Sequence, residues 1–253
     1  MYYEENHMES LKALILAAGK GTRMKSELPK VVHACNGKPM VQYVIEASKE
    51  AGADKVCVIV GYKAHEVESA INDTVEYAFQ TEQLGTGHAV KCAGKFIGNE
   101  GNVIILCGDT PLITGETLKR LVDFHIQGDY GVTVLSAILD DATGYGRIIR
   151  DNNGDFQKIV EQKDANALER QVKEINSGMY VFKCDELSRA LDKLDNNNAA
   201  GEYYLTDTIE IIKNKGLRVA AMPLKGDDVN QIRGVNTPEQ LKEAELIMKG
   251  KRG

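Results

Sequence analysis

Four cations crowd into one short stretch, Lys20, Arg23, Lys25 and Lys30, against a single acid, Glu27. They lie in LILAAGKGTRMKSELPK (14–30), where an apolar run breaks into a turn containing Gly19 and Gly21. This pattern suits a polyphosphate. The small residues Ala17, Ala18 and Gly19 after Leu16 let a base or ribose approach the backbone, and the two glycines let successive N–H groups converge on a phosphate. The Arg23 guanidinium can grip phosphate oxygens bidentately, Lys30 supplies a point charge, and Pro29 fixes the chain in front of it. The competing reading is a turn with solvated basic residues. The buried strand leading into the loop favours the anion site, because open α/β sheets bind ligands at the C-terminal edge. Two familiar phosphate loops are excluded: no GxxxxGK[ST] run occurs, and Met24 stands where GxGxxG needs its third glycine.

Other polar residues carry two readings each. Asp109 follows the apolar run 103–107; beside Thr110 and Pro111 it reads as a helix N-cap or as a strand-end ligand. QTEQLGTG (80–87) reads as a loop entering a helix, or as a site where the Gln80 carboxamide meets a polar edge and Gly85 and Thr86 admit a flat group. Taken alone, Glu161 reads as a surface charge and Asn176 as a turn residue. Tyr203 and Tyr204 either wall a pocket or fill the core. The cysteines, Cys35, Cys57, Cys92, Cys107 and Cys184, are widely spaced without a CxxC, which reads as reduced thiols of a cytoplasmic protein. The histidines lack ligand spacing, and HEVES (65–69) fails the zinc-helix pattern at Ser69.

These residues need a scaffold, and the hydrophobic pattern supplies one. Apolar strands are predicted at 12–17, 55–60, 75–79, 102–107 and 131–139, with helices at about 39–51, 63–71, 86–95 and 116–127. Such alternation implies a mostly parallel sheet covered on both faces, an α/β fold. From about 140 the texture changes. Short strands at 146–150 and 156–161 flank DNNGD (151–155), a hairpin turn; a strand at 174–183, helices at 185–194 and 204–214, and a strand at 217–223 follow. A last helix starts at 238, with Thr237 as N-cap, Pro238 at the first helical position and Gln240 closing a capping box.

The chain has 253 residues, 43% apolar and 27% charged, with a net charge of −6. That balance argues against nucleic acid as a partner, and no apolar stretch reaches the roughly 20 residues of a membrane span. The polar, acidic start MYYEENHMES does not read as a secretory signal, and residues 1–10 are expected to be a flexible extension.

LAAGKGTRMKSELPK resembles the signature loop of the sugar-nucleotide pyrophosphorylases. QTEQLGTGHA (80–89), GDTPLI (108–113), TGYGRI (143–148), VEQKDA (160–165), EINSGMYVF (174–182), NNNAAGEYYLTD (196–207) and GVN (234–236) follow in the family's order. Together they are similar to the uridylyltransferase half of the bacterial bifunctional enzyme that makes UDP-N-acetylglucosamine. The resemblance implies a Rossmann-like mixed sheet with a sugar-binding elaboration in its second half. It divides one domain (11–253) into a nucleotide-binding part (11–139), a sugar-binding part (140–236) and a C-terminal helix (237–253). The implied substrates are UTP and N-acetylglucosamine 1-phosphate, with Mg²⁺ as cofactor. Implied catalytic residues are Arg23, Lys30 and Asp109, and implied metal ligands are Asp109 and Asn236. Leu16, Ala17, Ala18, Gly19, Lys30, Gln80, Gly85, Thr86, Cys107, Gly108 and Asp109 would line the nucleotide, with Gln80 on the uracil edge. Gly146, Glu161 and Asn176 would serve the sugar, and Asn236 is counted with the substrate-binding residues. Cys107 departs from a tyrosine found in some members. The hexapeptide repeats of the bifunctional enzyme's acetyltransferase half are absent from this sequence, so acetyl transfer is not expected, and a monomer or weak oligomer is. Transfer to another sugar or from another base, and a non-catalytic nucleotide-sugar module, are the alternatives.

Overall fold

The computed structural model describes residues 10–250. The expected extension at 1–10 lies outside that range except for Ser10, whose carbonyl accepts the Asn102 N–H at 2.9 Å. In the first half, β1 (Leu11–Leu16) leads into two 3₁₀ turns, Thr22–Met24 and Lys30–Val32. A two-stranded ribbon, β2 (Ala34–Cys35) and β3 (Lys38–Pro39), follows. Then come α1 (Met40–Glu50), β4 (Lys55–Val60), α2 (Ala64–Ala70), β5 (Glu76–Phe79), α3 (Thr86–Cys92), α4 (Gly94–Ile97) and β6 (Asn102–Cys107). The second half holds α5 (Gly115–Gln127), β7 (Val132–Ile138), β8 (Arg147–Arg150), β9 (Phe156–Val160) and β10 (Glu174–Lys183). It closes with α6 (Cys184–Leu191), α7 (Asp207–Asn214), β11 (Val219–Leu224) and α8 (Pro238–Gly250).

One sheet runs β11-β7-β10-β6-β1-β4-β5, with the β8–β9 hairpin attached to β10. All its pairings along that path are parallel except those of β10, which runs against both β6 and β7. The sheet is therefore mixed and mostly parallel, as the sequence predicts. Alternation along β1 explains its two covered faces: Ala13 and Ile15 pack with α1 and α5 residues such as Val44, Ile45 and Leu118, while Leu14 packs with Val90, Leu187 and Ile209 of α3, α6 and α7. Burying each large aliphatic side chain contributes about 1.5–3 kcal/mol.

Local chemistry sets the element ends. α1 begins at Met40, directly after Pro39, whose ψ of 140° is extended and non-helical. The single helix expected at 86–95 breaks at Ala93 (φ −94°, ψ 13°) into α3 and α4. The hairpin turn closes as an Asx turn: Asp151 Oδ1 accepts the N–H groups of Asn153 (2.8 Å) and Asp155 (3.0 Å). At α8 the Gln240 N–H bonds Thr237 Oγ1 at 3.3 Å, as a capping box requires. The Gln240 carboxamide, however, reaches one residue farther back than expected, accepting the Asn236 N–H at 2.8 Å. Among the described residues no helix is long and apolar enough to cross a membrane, and the five cysteines are free.

Candidate active site

The chain order places a crevice at the C-terminal ends of β1 and β6. From β1 it steps to β4 and β5 on one side, then returns to pair β6 on the other, so the winding reverses between β1 and β6. Leu16 and Cys107, the last residues of these strands, are register partners. The Gly-containing loop and Asp109 thus leave the sheet side by side. β10 runs the other way, so its first residues, Glu174 to Asn176, come to the same edge.

The loop is pinned from beneath. Met24, the residue that breaks the GxGxxG pattern, is buried with Cys35, Met40, Leu112, Val235 and Ala244. Gly21 has φ +64°, and a Cβ there would lie 2.5 Å from Lys30 Cβ. Only glycine lets the turn close against Lys30. At Gly19 a Cβ would meet nothing within 4 Å, so that glycine faces open space.

Lys30 reaches across to a knot of oxygens. Its Nζ donates to Asp109 Oδ2 and, at 2.7 Å, to Asn236 Oδ1, and both members of the Lys30–Asp109 ion pair are only 17% exposed. Arg23 donates to the same Asn236 Oδ1 at 2.9 Å. Asn236 is aimed by its neighbours: Nδ2 donates to the Gly234 carbonyl at 3.2 Å, its N–H is held by Gln240, and the Val235 N–H bonds the Asp109 carbonyl at 2.8 Å. A carboxylate and a carboxamide oxygen therefore converge on one cation, here an ammonium. Among the described residues no group of three or more His, Cys, Asp or Glu side chains could hold a metal. Two hard oxygens open to phosphates and water are a donor set that suits Mg²⁺. Asp109 caps no helix, since Thr114 caps α5 by accepting the Thr117 N–H at 3.3 Å.

Beside this knot lies a cleft of about 370 Å³ lined by Leu16, Ala17, Ala18, Gly19, Lys30, Gln80, Gly85, Thr86, Cys107 and Asp109, together with Val31, Gln83, Ala89 and Glu202. Gly85 has φ +114°, and a Cβ there would lie 2.5 Å from the Tyr203 carbonyl oxygen. The segment 203–205 is laced to it: the Tyr203 N–H bonds the Leu84 carbonyl at 2.8 Å, and the Leu205 N–H bonds Thr86 Oγ1 at 3.1 Å. Gln83 donates to the Ala18 carbonyl at 2.9 Å. Gly108 lies beneath the cleft, donating its N–H to the Leu16 carbonyl at 3.0 Å.

A second group sits next to it. The β8–β9 hairpin sets Gly146 and Glu161 at its open end, and a Cβ on Gly146 would lie 3.3 Å from Glu161 Oε2. Glu161 accepts the Thr206 hydroxyl at 3.1 Å, and burial, with Asp164 and Glu202 adding, raises its carboxyl above the usual range. Asn176 is turned inward: Nδ2 donates to the Tyr180 hydroxyl at 2.7 Å, and Oδ1 accepts the Gly178 N–H at 3.0 Å. Each end keeps capacity for one more bond. Cys107 links the groups, donating to the Gly178 carbonyl at 3.5 Å, and burial, with Asp109 adding, pushes its thiol up to about 12.

Of the residues singled out in the sequence, ten line the cleft. Arg23, Gly108 and Asn236 adjoin it, and Gly146, Glu161 and Asn176 form the neighbouring group through the Asn176 N–H to Gly146 carbonyl bond of 2.9 Å. Val31, Gln83, Ala89 and Glu202 complete the wall without having been singled out. Gln83 lies within the QTEQLGTG motif, but only the fold aims it at Ala18. Tyr204 donates to Asp164 at 3.3 Å, and Tyr203 acts mainly through its backbone.

The nucleotidyl transferase family model matches residues 12–235. The bifunctional protein GlmU of Clostridioides difficile is 52% identical over 240 residues, which span 95% of this chain and 52% of that protein. The bifunctional protein GlmU of Caldanaerobacter subterraneus subsp. tengcongensis is 54% identical over 242 residues, 96% of this chain and 52% of that protein. The chain thus spans about half the length of the curated relatives it matches. A solved structure of UDP-glucose pyrophosphorylase complexed with UDP-glucose shares the fold, with a TM-score of 0.78 at 22% identity, covering 96% of this chain and 99% of that one.

Proposed function

Because the chain belongs to the nucleotidyl transferase family, we propose that it transfers UMP from UTP to N-acetylglucosamine 1-phosphate, giving UDP-N-acetylglucosamine and pyrophosphate. The observation that carries this reading is the convergence of Lys30, Arg23, Asp109 and Asn236 at the β1/β6 crevice, beside a cleft wide enough for a nucleoside. A sugar phosphate oxygen attacks the α-phosphorus in line and pyrophosphate leaves. The attacking oxygen is already anionic, so the barrier is repulsion between polyanions, lowered by positioning and charge neutralisation.

Lys30 and Arg23 supply positive charge where the triphosphate enters. Asp109 Oδ2 and Asn236 Oδ1 would hold Mg²⁺, which when bound supplies charge neutralisation at the phosphates. The Lys30 ammonium donates to the same two oxygens, so its charge stands where the phosphates and the metal would meet. Leu16 to Gly19 receive the ribose and base, and Gly85 and Thr86 let the base lie against the backbone with Gln80 on its edge. Glu161 accepts from sugar hydroxyls, and Asn176 uses its remaining capacity on the acetamido group. Gly146 keeps Glu161 uncrowded. The division into nucleotide part (11–139), sugar part (140–236) and terminal helix belongs to this proposal, as do a monomer or weak oligomer and a cytoplasmic site of action, which the free thiols suit.

The test is pyrophosphate release from UTP with N-acetylglucosamine 1-phosphate and Mg²⁺, with glucose 1-phosphate as competitor. Turnover with the acetamido sugar preferred is the expected result. Equal use of glucose 1-phosphate would remove the sugar assignment, and UDP-N-acetylglucosamine binding without turnover would make the chain a binding module.

A further inference from the structure

We propose that His88 is a positioning residue for base selection, fixing which end of the Gln80 carboxamide faces the cleft. The inference rests on the reading of Gln80 as the residue at the base edge. Gln80 is 6% exposed yet lines the cleft. Its Nε2 lies 3.1 Å from the Gly85 carbonyl oxygen and 3.3 Å from His88 Nδ1. A carbonyl oxygen only accepts, so the end of the carboxamide facing Gly85 is the NH₂ group. An NH₂ group only donates, so His88 Nδ1 presents its lone pair. The imidazole hydrogen then sits on Nε2, which faces Cys92 Sγ at 3.9 Å.

Both amide hydrogens are thus engaged, one by the backbone and one by the ring. Oε1 has no protein donor among the described residues, so the carboxamide offers the cleft an acceptor. Uracil carries a hydrogen on N3 and can meet that acceptor. Cytosine carries a lone pair on N3 and meets it acceptor to acceptor. His88 therefore acts on base choice without touching the base. Its ring is held by α3 and by the Tyr203 ring, with centroids 6.5 Å apart. Removing the ring acceptor leaves one buried amide hydrogen unpaired and leaves the Gly85 carbonyl alone to oppose rotation of the carboxamide.

The test compares wild type, His88→Phe and His88→Asn by pyrophosphate release from UTP and from CTP, each with N-acetylglucosamine 1-phosphate and Mg²⁺. His88→Phe keeps a ring and loses the acceptor; His88→Asn returns an acceptor near the Nδ1 position. The expected result is that His88→Phe raises the KM for UTP about fivefold, the size of one net hydrogen bond, and narrows the UTP over CTP ratio in kcat/KM by a similar factor. The loss falls on KM rather than kcat, and His88→Asn recovers most of the ratio. An unchanged ratio in His88→Phe, or equal losses in both variants, would overturn the role of His88 while leaving the proposed function standing. A wild type that turns over UTP and CTP alike, or neither, would overturn the base assignment and this inference with it. Circular dichroism reports folding, and His88→Leu replaces His88→Phe in the comparison should the latter fail to fold.

Discussion

At the scale of single residues the site is a problem of placing like charges. Lys30 is buried enough that its ammonium interacts strongly with Asp109, and each would be costly to bury alone. Lys30→Ala and Asp109→Ala are each expected to lower kcat at least tenfold, since either removes more than ~1.4 kcal/mol of transition-state stabilisation. Steady-state rates with saturating UTP check this. The two loop glycines separate structural from ligand-facing roles. Gly21→Ala puts a Cβ 2.5 Å from Lys30 Cβ at a positive φ, so it should lower kcat/KM about tenfold and cost about 1 kcal/mol of stability. Gly19→Ala meets no protein atom within 4 Å; it should leave the melting temperature alone and weaken UTP binding, measured by titration calorimetry. Glu161→Ala should raise the KM for the sugar phosphate about tenfold, within the ~1–3 kcal/mol of a buried hydrogen bond, and a KM equal to wild type would remove Glu161 from the sugar site.

At the scale of elements, helices and strands act as rulers that deliver these residues. The antiparallel β10 brings Asn176 to the edge where β6 ends, and the β8–β9 hairpin brings Gly146 beside Glu161 across 15 residues of chain. The cap of α8 holds Asn236 in place through Gln240. α5 carries a pH-sensitive contact with the sheet. His125 is 1% exposed, its Nδ1 lies 2.9 Å from Thr133 Oγ1 on β7, and burial, with Lys183 adding, depresses its imidazole to about 4. A histidine held below its unfolded value of about 6.5 stays neutral in the fold and takes up a proton on unfolding. Its contribution is complete above about 6.5 and is lost as pH falls towards 4, up to ~3 kcal/mol. Urea titrations from pH 7 to 4 should show that loss, and His125→Leu should flatten the part of the curve between those limits.

At the scale of the whole molecule, one sheet runs through both halves of the site. β11, β7 and β10 from the second half continue the β6-β1-β4-β5 sheet of the first, so the Lys30–Asp109 cleft and the Gly146–Glu161–Asn176 group are carried on one sheet. A ligand of the folded form alone stabilises it by mass action. UTP with Mg²⁺ at about 100 times its dissociation constant should add ~2.7 kcal/mol, a rise of roughly 5–10 °C in melting temperature for a chain of this size. Differential scanning fluorimetry reads this directly, and the rise should shrink in Lys30→Ala.

The residues themselves determined much of this. Apolar runs with period-2 and period-3.6 spacing fixed the strands and helices to within a few residues, because burial and local propensity act over the lengths those patterns span. The loop cations, Asp109 and the QTEQLGTG motif were legible as candidates because residue type limits the chemistry each can do, and the family resemblance chose among their readings. What the sequence left open was settled by distance in space. Asp109 could have capped a helix until Thr114 was seen to do so. Asn236, named by resemblance alone, is tied in the fold to Lys30 and Arg23, more than 200 residues away, and Gln83 and His88 stand out only by what they touch. Hydrogen bonds carry orientation as well as proximity, and orientation exists only once the sheet has brought distant segments to one edge.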